Sequence, residues 1–596
     1  MPHLSENSNP LSVKNIQVNN FEELINYIPN IKDVCVFVLP FAGNIAESRI
    51  NLQGAPIVIR EAISKLQNSA TFIILGEIID LTKIAIEIPK EHYHHLIAIE
   101  RLYPLEDGYR CLPNNHFGVL VYSKYKGSLN HTKTRIGYSY CPTCDKTTKD
   151  YGGKKHTYHE FGTSISDVWR DIKVNPVEDI NTILDRFADL FGVAEYTEMI
   201  VVSVDFLIRE EESKRIKVDK TTNSIPEKEV NKIIQGDSLA QLKKLPDNSV
   251  DFIFTDPPYN LGKKYQGYSD DLEIQEYFSW CDEWLNELAR ILKPGRTLSI
   301  LNIPLWSIRH FKHLDTILYF QNWIVWDALA FPVRKIMPAH YSILCFTKGE
   351  SRELPGFVEK AKLTKAPGAP IAFDALQPLG QGYCLRTSCV KNRKSKSIDD
   401  RERLTDLWSD IHRLKHNSRR VDHPTQLPPH LMYRLISIFT KPEEIILDCF
   451  NGAGTTTLTA DQLGRKYIGI ELEEKYVQIA NNRHIEISGG INPFRKKVRK
   501  LNSKNSPVPR LRKQKYEVPK KTLQLEVKRV AKKIGHIPDR DEMIVHGKYP
   551  IEYYDSYFIS WGEVTAAART TGMSENRENN QLDHENNDDP QLRLGI

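Results

Sequence analysis

The sequence predicts an α/β architecture, laid down twice and followed by a small helical module. Three observations carry this. Short apolar runs of strand length alternate with amphipathic stretches of helical spacing. Two of those runs end in an acid followed by a chain-breaking loop, Asp256-Pro257-Pro258-Tyr259 and Asp448-Cys449-Phe450-Asn451-Gly452. Segments of the first third also realign, in order, with segments of the middle.

A chain of 596 residues exceeds what one core supports, so several domains are expected. The hydrophobic fraction of 40% is that of ordinary globular protein. A net charge of +5 is small for this length, so contact with nucleic acid must come from local clusters. No apolar run has the length of a membrane span, and Met1 to Asn9 lack the apolar centre of a signal peptide. Nine cysteines in so long a chain make no disulfide framework. A reducing, cytoplasmic setting away from membranes is the expectation.

Residues 1–20 are polar and expected to be frayed. Val34 to Phe41 reads as a buried strand ending in a turn, Ile57 to Leu66 as a helix and Phe72 to Leu75 as another strand. "NYIPNIKDVCVFVLPF" (26–41) aligns with "KKLPDNSVDFIFTDPPY" (243–259), and "ISKLQNSATFIIL" (63–75) with "ARILKPGRTLSIL" (289–301). "NNHFGVLVYSK" (114–124) aligns with "PAHYSILCFTK" (338–348), "TSISDVWRDI" (163–172) with "ERLTDLWSDI" (402–411), and 175–191 with 423–439. Five weak matches in one order argue for an internal duplication. In the first copy Val38 stands where Asp256 stands, and Leu39-Pro40-Phe41 replaces Pro257-Pro258-Tyr259. No Gly-x-Gly follows the run from Met199 to Phe206. Residues 1–229, including a charged linker from Glu210 to Glu229, are therefore expected to be a degenerate copy. It would hold an intramolecular pseudo-dimer together, allowing a monomeric chain, or contact DNA.

Within this copy lies Cys141-Pro142-Thr143-Cys144, with His156 and His159 beyond it. Two thiols and two imidazoles near ligand spacing make a candidate zinc site. Cys384 and Cys389, at the roughly equivalent place in the second copy, offer instead a four-thiol site across the pseudo-dimer. Two free cysteines in a basic polar loop are the remaining reading.

In the second copy, Lys232 to Gln235 reads as a strand ending in Gly236-Asp237. Asp237 suits either a ligand's hydrogen-bond donors or the cap of the helix that follows. Phe252 to Phe254 is a buried strand, and a proline pair cannot continue a ladder. That break holds Asp256 and Tyr259 at the strand's C-terminal end, where ligands bind in open α/β sheets. Leu272 to Leu292 has helical periodicity, and strands are expected at Thr297 to Leu301, Trp323 to Trp326 and Tyr341 to Phe346. Residues 351–422 turn irregular and then basic (Arg386, Arg393, Arg403 and Arg413 among them), as in an insert running along a DNA backbone. Ile445 to Asp448 is a strand entering Gly452-Ala453-Gly454-Thr455, and Tyr467 to Ile470 is a strand ending in Glu471. That pairing of glycine loop and strand-end acid suits a nucleoside ligand. Thr456-Thr457 in place of a third glycine disfavours a pyrophosphate.

These motifs resemble those of the β-class DNA amino-methyltransferases, which carry Asp-Pro-Pro-Tyr, then a recognition insert, then the cofactor loop. The resemblance covers about 230–490, as a catalytic domain in two parts (230–350 and 423–490) around a target-recognition insert (351–422). It implies a Rossmann-like methyltransferase fold using S-adenosylmethionine. Asp256, Pro257, Pro258 and Tyr259 would be catalytic. Asp237, Thr425, Gln426, Asp448, Phe450, Gly452, Gly454, Thr455 and Glu471 would bind the cofactor. His423-Pro424-Thr425-Gln426 is similar to the family's cofactor-side motif, with Leu427 where the family has lysine. The implied activity is site-specific methylation of adenine N6 in double-stranded DNA, within a restriction-modification system whose other arm would be a cognate restriction endonuclease. Cytosine N4, which more often goes with Ser in place of Asp, is the alternative, as is a nucleic-acid-binding protein with a residual fold.

A basic, proline-broken stretch (491–522) leads to 523–569. Leu523, Val527, Val530, Ala531 and Ile534 recur helically there, and Gly535 stops the helix. This resembles the homing-endonuclease-associated repeat, which implies a small helical DNA-binding module. Residues 570–596, rich in Asn, Asp and Glu, are expected to be disordered.

Overall fold

The computed structural model describes the chain outside residues 1–12, 19, 21–22, 24–32, 43–48, 51, 53, 107, 130, 148–149, 151–158, 160–161, 192–198, 205–208, 211–217, 261–263, 266–267, 270–271, 329–334, 359–375, 379–383, 385, 397–400, 414–425, 495–517, 519, 559–560 and 570–596. His156, Thr425, most of the basic stretch and the acidic tail therefore lie outside the described residues. The chain forms two compact units, one built on residues up to Lys497 and one on Val498–Asp589. Among the described residues no helix is long and apolar enough to cross a membrane.

The N-terminal half of the first unit runs β1 (Val13–Val18), β2 (Val34–Val38), α1 (Ala55–Ser64), β3 (Thr71–Gly76), α2 (Ile78–Ala85), β4 (Tyr93–Leu105), β5 (Asn114–Ser123), β6 (Val168–Val174), α3 (Ile180–Phe191) and β7 (Met199–Val204). Its strands form one sheet in the order β1-β7-β2-β3-β5-β4-β6. The catalytic half runs β8 (Lys232–Gln235), α4 (Ser238–Leu242), β9 (Val250–Thr255), α5 (Ile274–Ile291), β10 (Leu292–Asn302), α6 (Pro304–Ile317), β11 (Tyr319–Asp327), β12 (His340–Thr347), β13 (Leu407–Trp408), α7 (Pro429–Phe439), β14 (Ile445–Asp448), α8 (Thr455–Gln462), β15 (Lys466–Glu471) and α9 (Glu474–Ser488). Its sheet is β8-β15-β14-β9-β10-β12-β11-β13. All six residues of β9 are buried, because helices cover both faces of a parallel centre.

Six strands stand in the same order in both sheets: β7-β2-β3-β5-β4-β6 in one, β14-β9-β10-β12-β11-β13 in the other. Their senses also match. The pairs β7–β2, β2–β3 and β4–β6 are parallel while β3–β5 and β4–β5 are antiparallel. The counterparts β14–β9, β9–β10 and β11–β13 are parallel while β10–β12 and β11–β12 are antiparallel. The sheets differ beyond this shared core. In the catalytic half β15, which ends in Glu471, lies between β14 and β8. In the other half β1 pairs directly with β7 over Val13–Val18. The expectation that residues 1–20 are frayed is corrected over Val13–Val18; residues 1–12 lie outside the described residues. The segment VKNIQV is polar because it is an edge strand with a neighbour on one side only. The described part of the linker is also tied down, since Ile225 is buried in the core of this unit.

The halves meet through reciprocal contacts. The Asp167 carboxylate accepts hydrogen bonds from the backbone N–H of Ala339 (2.7 Å) and His340 (2.8 Å). Asp406 accepts from the backbone N–H of Asn115 at 2.8 Å and lies 3.0 Å from His116 Nδ1. The main chain repeats the exchange, with Asp167 N–H on Met337 O (3.1 Å) and Asp406 N–H on Pro113 O (3.1 Å). Trp169 and Trp408, both fully buried, each donate to the carbonyl three residues earlier. α2 also packs on α6, and each follows the corresponding strand of its own sheet. Residue i of one half thus meets j of the other as j' meets i', the form of a two-fold interface within one chain.

The second unit is helical: α10 (Lys520–Ile534), α11 (Arg540–His546), α12 (Ile551–Tyr557) and α13 (Trp561–Arg569). Gly535 (φ 85°) ends α10, and a reciprocal Asp539/Glu542 capping box starts α11. Leu523, Val527, Val530, Met543, Tyr554 and Val564 form its core.

Candidate active site at the ends of adjacent strands

β9 and β14 are neighbours, with Phe252 opposite Ile446 and Ile253 opposite Leu447. Their final acids, Asp256 just past β9 and Asp448 at the end of β14, therefore stand side by side. β15 adjoins β14 and brings Glu471 to the same edge. Three carboxylates from three adjacent strands gather where the sheet opens.

The Asp256–Asn260 loop is pinned by groups around it. Tyr259 donates its hydroxyl to Asp256 Oδ1 at 2.9 Å. Trp306 Nε1, from α6, donates to the Tyr259 carbonyl at 2.8 Å, and Tyr277 of α5 donates its hydroxyl to the Pro258 carbonyl at 2.7 Å. Asn260 takes a left-handed conformation (φ 54°) and exchanges two 2.8 Å hydrogen bonds with the backbone of Leu272. The sequence reading placed Tyr277 on an amphipathic helix and gave no role to Trp306 or Asn260. Helical periodicity shows that a side chain is buried, not that its polar end turns to a loop. Burial, with the Asp256 charge adding to it, keeps the Tyr259 phenol well above its ordinary pKa and neutral. The Arg413 guanidinium lies 4.2 Å from the centre of the Tyr341 ring, and its charge also acts on Tyr259.

Glu471 ties the glycine loop. Its Oε2 accepts from Gly452 N–H at 2.7 Å, and its Oε1 from Glu473 N–H at 2.9 Å. Each carboxylate oxygen keeps a second lone pair for a ligand hydroxyl. Gly454 (φ 86°) caps α8, and a Cβ there would lie 3.0 Å from the Ala480 Cβ. Gly469 has its own reason to be glycine, since a Cβ would come within 2.7 Å of Asn451 Cγ. Phe450 packs edge-on to Trp280 and Trp284 (5.7 and 5.4 Å between ring centres). Thr455 opens α8, and Gln426 is buried just before α7. Asp237 is exposed, and its carboxylate accepts from Ala240 N–H at 2.8 Å, so it serves as the cap of α4.

Burial pushes the Asp448 carboxyl up to about 7, against the Thr456 and Phe450 hydrogen bonds; the charges of Asp256 and Glu471 add to the rise. Burial likewise raises Glu471. Asp448, beside the other two acids, is thus poised to change charge near neutrality. A cationic ligand favours the ionised form, so its binding releases a proton. Affinity for S-adenosylmethionine should therefore rise severalfold from pH 5.5 to 7.5, by at most about tenfold per pH unit. The rise should be smaller for S-adenosylhomocysteine, which lacks the sulfonium charge. Calorimetric titration of both ligands across that range checks it, and Asp448→Asn should flatten the profile.

Residues 351–422, the expected recognition insert, use some of their cations within the fold. Arg393 is fully buried, and Arg403 pairs with Glu106 at 2.6 Å and lies over the Tyr109 and Phe357 rings. These arginines, with Arg413, are engaged within the fold rather than lined up as a free phosphate-binding face.

Of the expected Cys/His set, the two thiols stand with the alternative partners, Cys384 and Cys389, and His156 lies outside the described residues. Cys141 and Cys144 meet Cys384 and Cys389, and the four sulfurs lie within 4.8 Å of one another. His159 is not in this group; its backbone carbonyl accepts the Tyr138 hydroxyl at 2.6 Å.

Comparison with known proteins follows the same division. Residues 250–482 match the family model for DNA methylases, and residues 518–568 match the homing endonuclease associated repeat. The chain is 35% identical over 247 residues to the Type II methyltransferase M.BamHI of Bacillus amyloliquefaciens, covering 41% of this chain and 55% of that protein. It therefore spans only about half the length of that relative. It is 30% identical over 257 residues to the Type II methyltransferase M.HpaI of Haemophilus parainfluenzae, covering 42% of this chain and 73% of that protein. With the DNA adenine methyltransferase YhdJ of Escherichia coli it shares 30% identity over 264 residues, covering 43% of this chain and 83% of that protein. The matched model takes in both Asp256–Tyr259 and the Asp448–Glu471 loop, and the chain covers 73% and 83% of the last two relatives at 30% identity, so it belongs to the DNA methylase family.

Proposed function

We propose that the chain transfers a methyl group from S-adenosylmethionine to the exocyclic N6 amino group of adenine in double-stranded DNA, as the modification arm of a restriction-modification system. The convergence of Asp256 with Asp448 and Glu471 at the ends of three adjacent strands carries this reading. Two of the relatives named above are Type II methyltransferases and one is a DNA adenine methyltransferase, which supports it.

The residues fit that cofactor. Glycines 452 and 454, both at positive φ, let a ligand approach the loop backbone, and the Glu471 carboxylate suits ribose hydroxyls. When bound, the cofactor supplies a methyl group on a positively charged sulfur, already activated for transfer. The protein's work is then positioning and electrostatics. The target base leaves the duplex stack to enter the site. An amino group conjugated to a base ring is a weak nucleophile, because its lone pair is delocalised into the ring. Asp256 and the Pro257 carbonyl accept its two hydrogens, which localises the lone pair on nitrogen, and Asp256 lies where the displaced proton must go. Tyr259, tied to Asp256 through its hydroxyl, offers its ring as a stacking face.

On the same reading, residues 1–229 are a degenerate copy whose role is to brace the catalytic half. The shared strand order and the reciprocal Asp167 and Asp406 contacts support this. The helical repeat at 518–568 would grip DNA flanking the target. Incubation of the full chain with DNA and labelled cofactor, followed by nucleoside digestion, is expected to yield N6-methyladenine. N4-methylcytosine would replace adenine by cytosine as the target, and no labelled nucleoside would overturn the activity.

A further inference from the structure

We infer that Cys141, Cys144, Cys384 and Cys389 bind a single zinc ion that clips the N-terminal half to the recognition insert. The two pairs come from separate places. Cys141 and Cys144 sit on a tight hairpin, in which Tyr140–Cys141 pairs with Lys146–Thr147 and Asp145 turns the chain at φ 49°. Cys384 and Cys389 belong to the recognition insert, with Cys389 in the first turn of the helix Thr387–Ser395.

The spacing suits a four-thiolate site, with all four sulfurs within 4.8 Å of one another. Cys141 Sγ lies 3.7 Å from Cys389 Sγ, and Cys144 Sγ lies 3.7 Å from Cys384 Sγ. A zinc ion with bonds of about 2.3 Å to four sulfurs requires them to be about 3.8 Å apart. A disulfide would need about 2.05 Å. Cys141, Cys384 and Cys389 are buried, and Cys144 is half-buried, as befits a closed structural site. The four thiols form a cluster of their own, separate from the larger apolar cores.

Arg393 sets this arrangement apart from four thiols that merely pack together. Its side chain is fully buried, and Nη1 donates to the Cys384 carbonyl at 3.0 Å and to Cys389 Sγ at 3.2 Å. A guanidinium buried against a sulfur is favourable when that sulfur is a thiolate. Four thiolates around one zinc ion leave a net charge of about −2, which the guanidinium offsets in part.

The site joins residues 240 and 248 positions apart. Closing so long a loop is where a metal clip constrains the unfolded chain most.

The test uses the full chain, expressed without a histidine tag and purified in reductant. Elemental analysis should find about one zinc per chain. Cobalt substitution should give the intense charge-transfer and ligand-field absorption of a tetrahedral four-thiolate site. Cys384→Ser with Cys389→Ser should abolish the metal and lower the thermal midpoint, whereas His156→Ala with His159→Ala should retain both. Should the cysteine variant fail to fold, the wild-type protein still decides: the four thiols should resist a thiol reagent until a chelator is added. Reactive thiols without chelator in metal-free folded protein, or a Cys141–Cys389 disulfide by mass spectrometry, would overturn the proposal. Bound iron in place of zinc would overturn its assignment to zinc.

Discussion

Asp256→Ala is expected to reduce methyl transfer by about a thousandfold or more while leaving cofactor binding largely intact, in line with removal of a group that acts at the reacting centre. On the proposed mechanism the carboxylate accepts a hydrogen of the base amine, and it is held by Tyr259 at 2.9 Å. Its loss leaves the nitrogen's lone pair delocalised. A second readout separates this role from a structural one. The Asp256 charge is among the causes that hold Asp448 at about 7, so the alanine variant should move the pH dependence of cofactor affinity to lower pH. Single-turnover transfer of label to DNA, with cofactor titrations at several pH values, checks both. Transfer at a tenth of the wild-type rate would falsify the assignment.

The other large effect concerns stability. Asp406→Ala should cost ~3 kcal/mol or more, because a buried donor left without its acceptor costs about 1–3 kcal/mol and several are affected. Asp406, 1% exposed, holds the Asn115 N–H, the Asn114 amide (3.1 Å) and the His116 ring. Asp167→Ala removes the corresponding acceptor from Ala339 and His340, and a loss of comparable size is expected. Calorimetric scans should show the transition of the larger unit moving down in both variants. The helical unit, which has its own core, should melt where it does in the wild type. If either variant melted with the wild type, the interface would not depend on that bridge.

Much of the site can be read in the sequence because its key acids follow apolar strand runs. An acid after Phe252–Phe254 or Ile445–Leu447 can only stand at a strand's C-terminal end, and two prolines or two glycines stop the ladder there. Tyr277, Trp306 and Asn260 were opaque for the opposite reason. A buried tyrosine or tryptophan on an amphipathic helix serves a core equally well whether or not its polar end reaches a loop carbonyl. β1 was missed because an edge strand can carry a polar sequence, and only its pairing with β7 makes it a strand. Asp237 could cap a helix or meet a ligand, and its 2.8 Å contact with Ala240 shows the cap.

By itself, the sequence determined the α/β class, the order of the Asp256–Tyr259 loop, the insert and the glycine loop, and the disparity between the halves. Each is written in local pattern: periodicity, chain breakers, and an acid present in one copy and absent from the other. Which distant groups share a site was decided only by the tertiary structure. Local spacing paired Cys141 and Cys144 with the nearer histidines as readily as with Cys384 and Cys389. Six strands in a repeated order, and two aspartates exchanged between halves, bring the cysteines together across 240 residues. Long-range pairing follows from how apolar faces and buried polar groups are satisfied at once, and no stretch of sequence contains both sides of that condition.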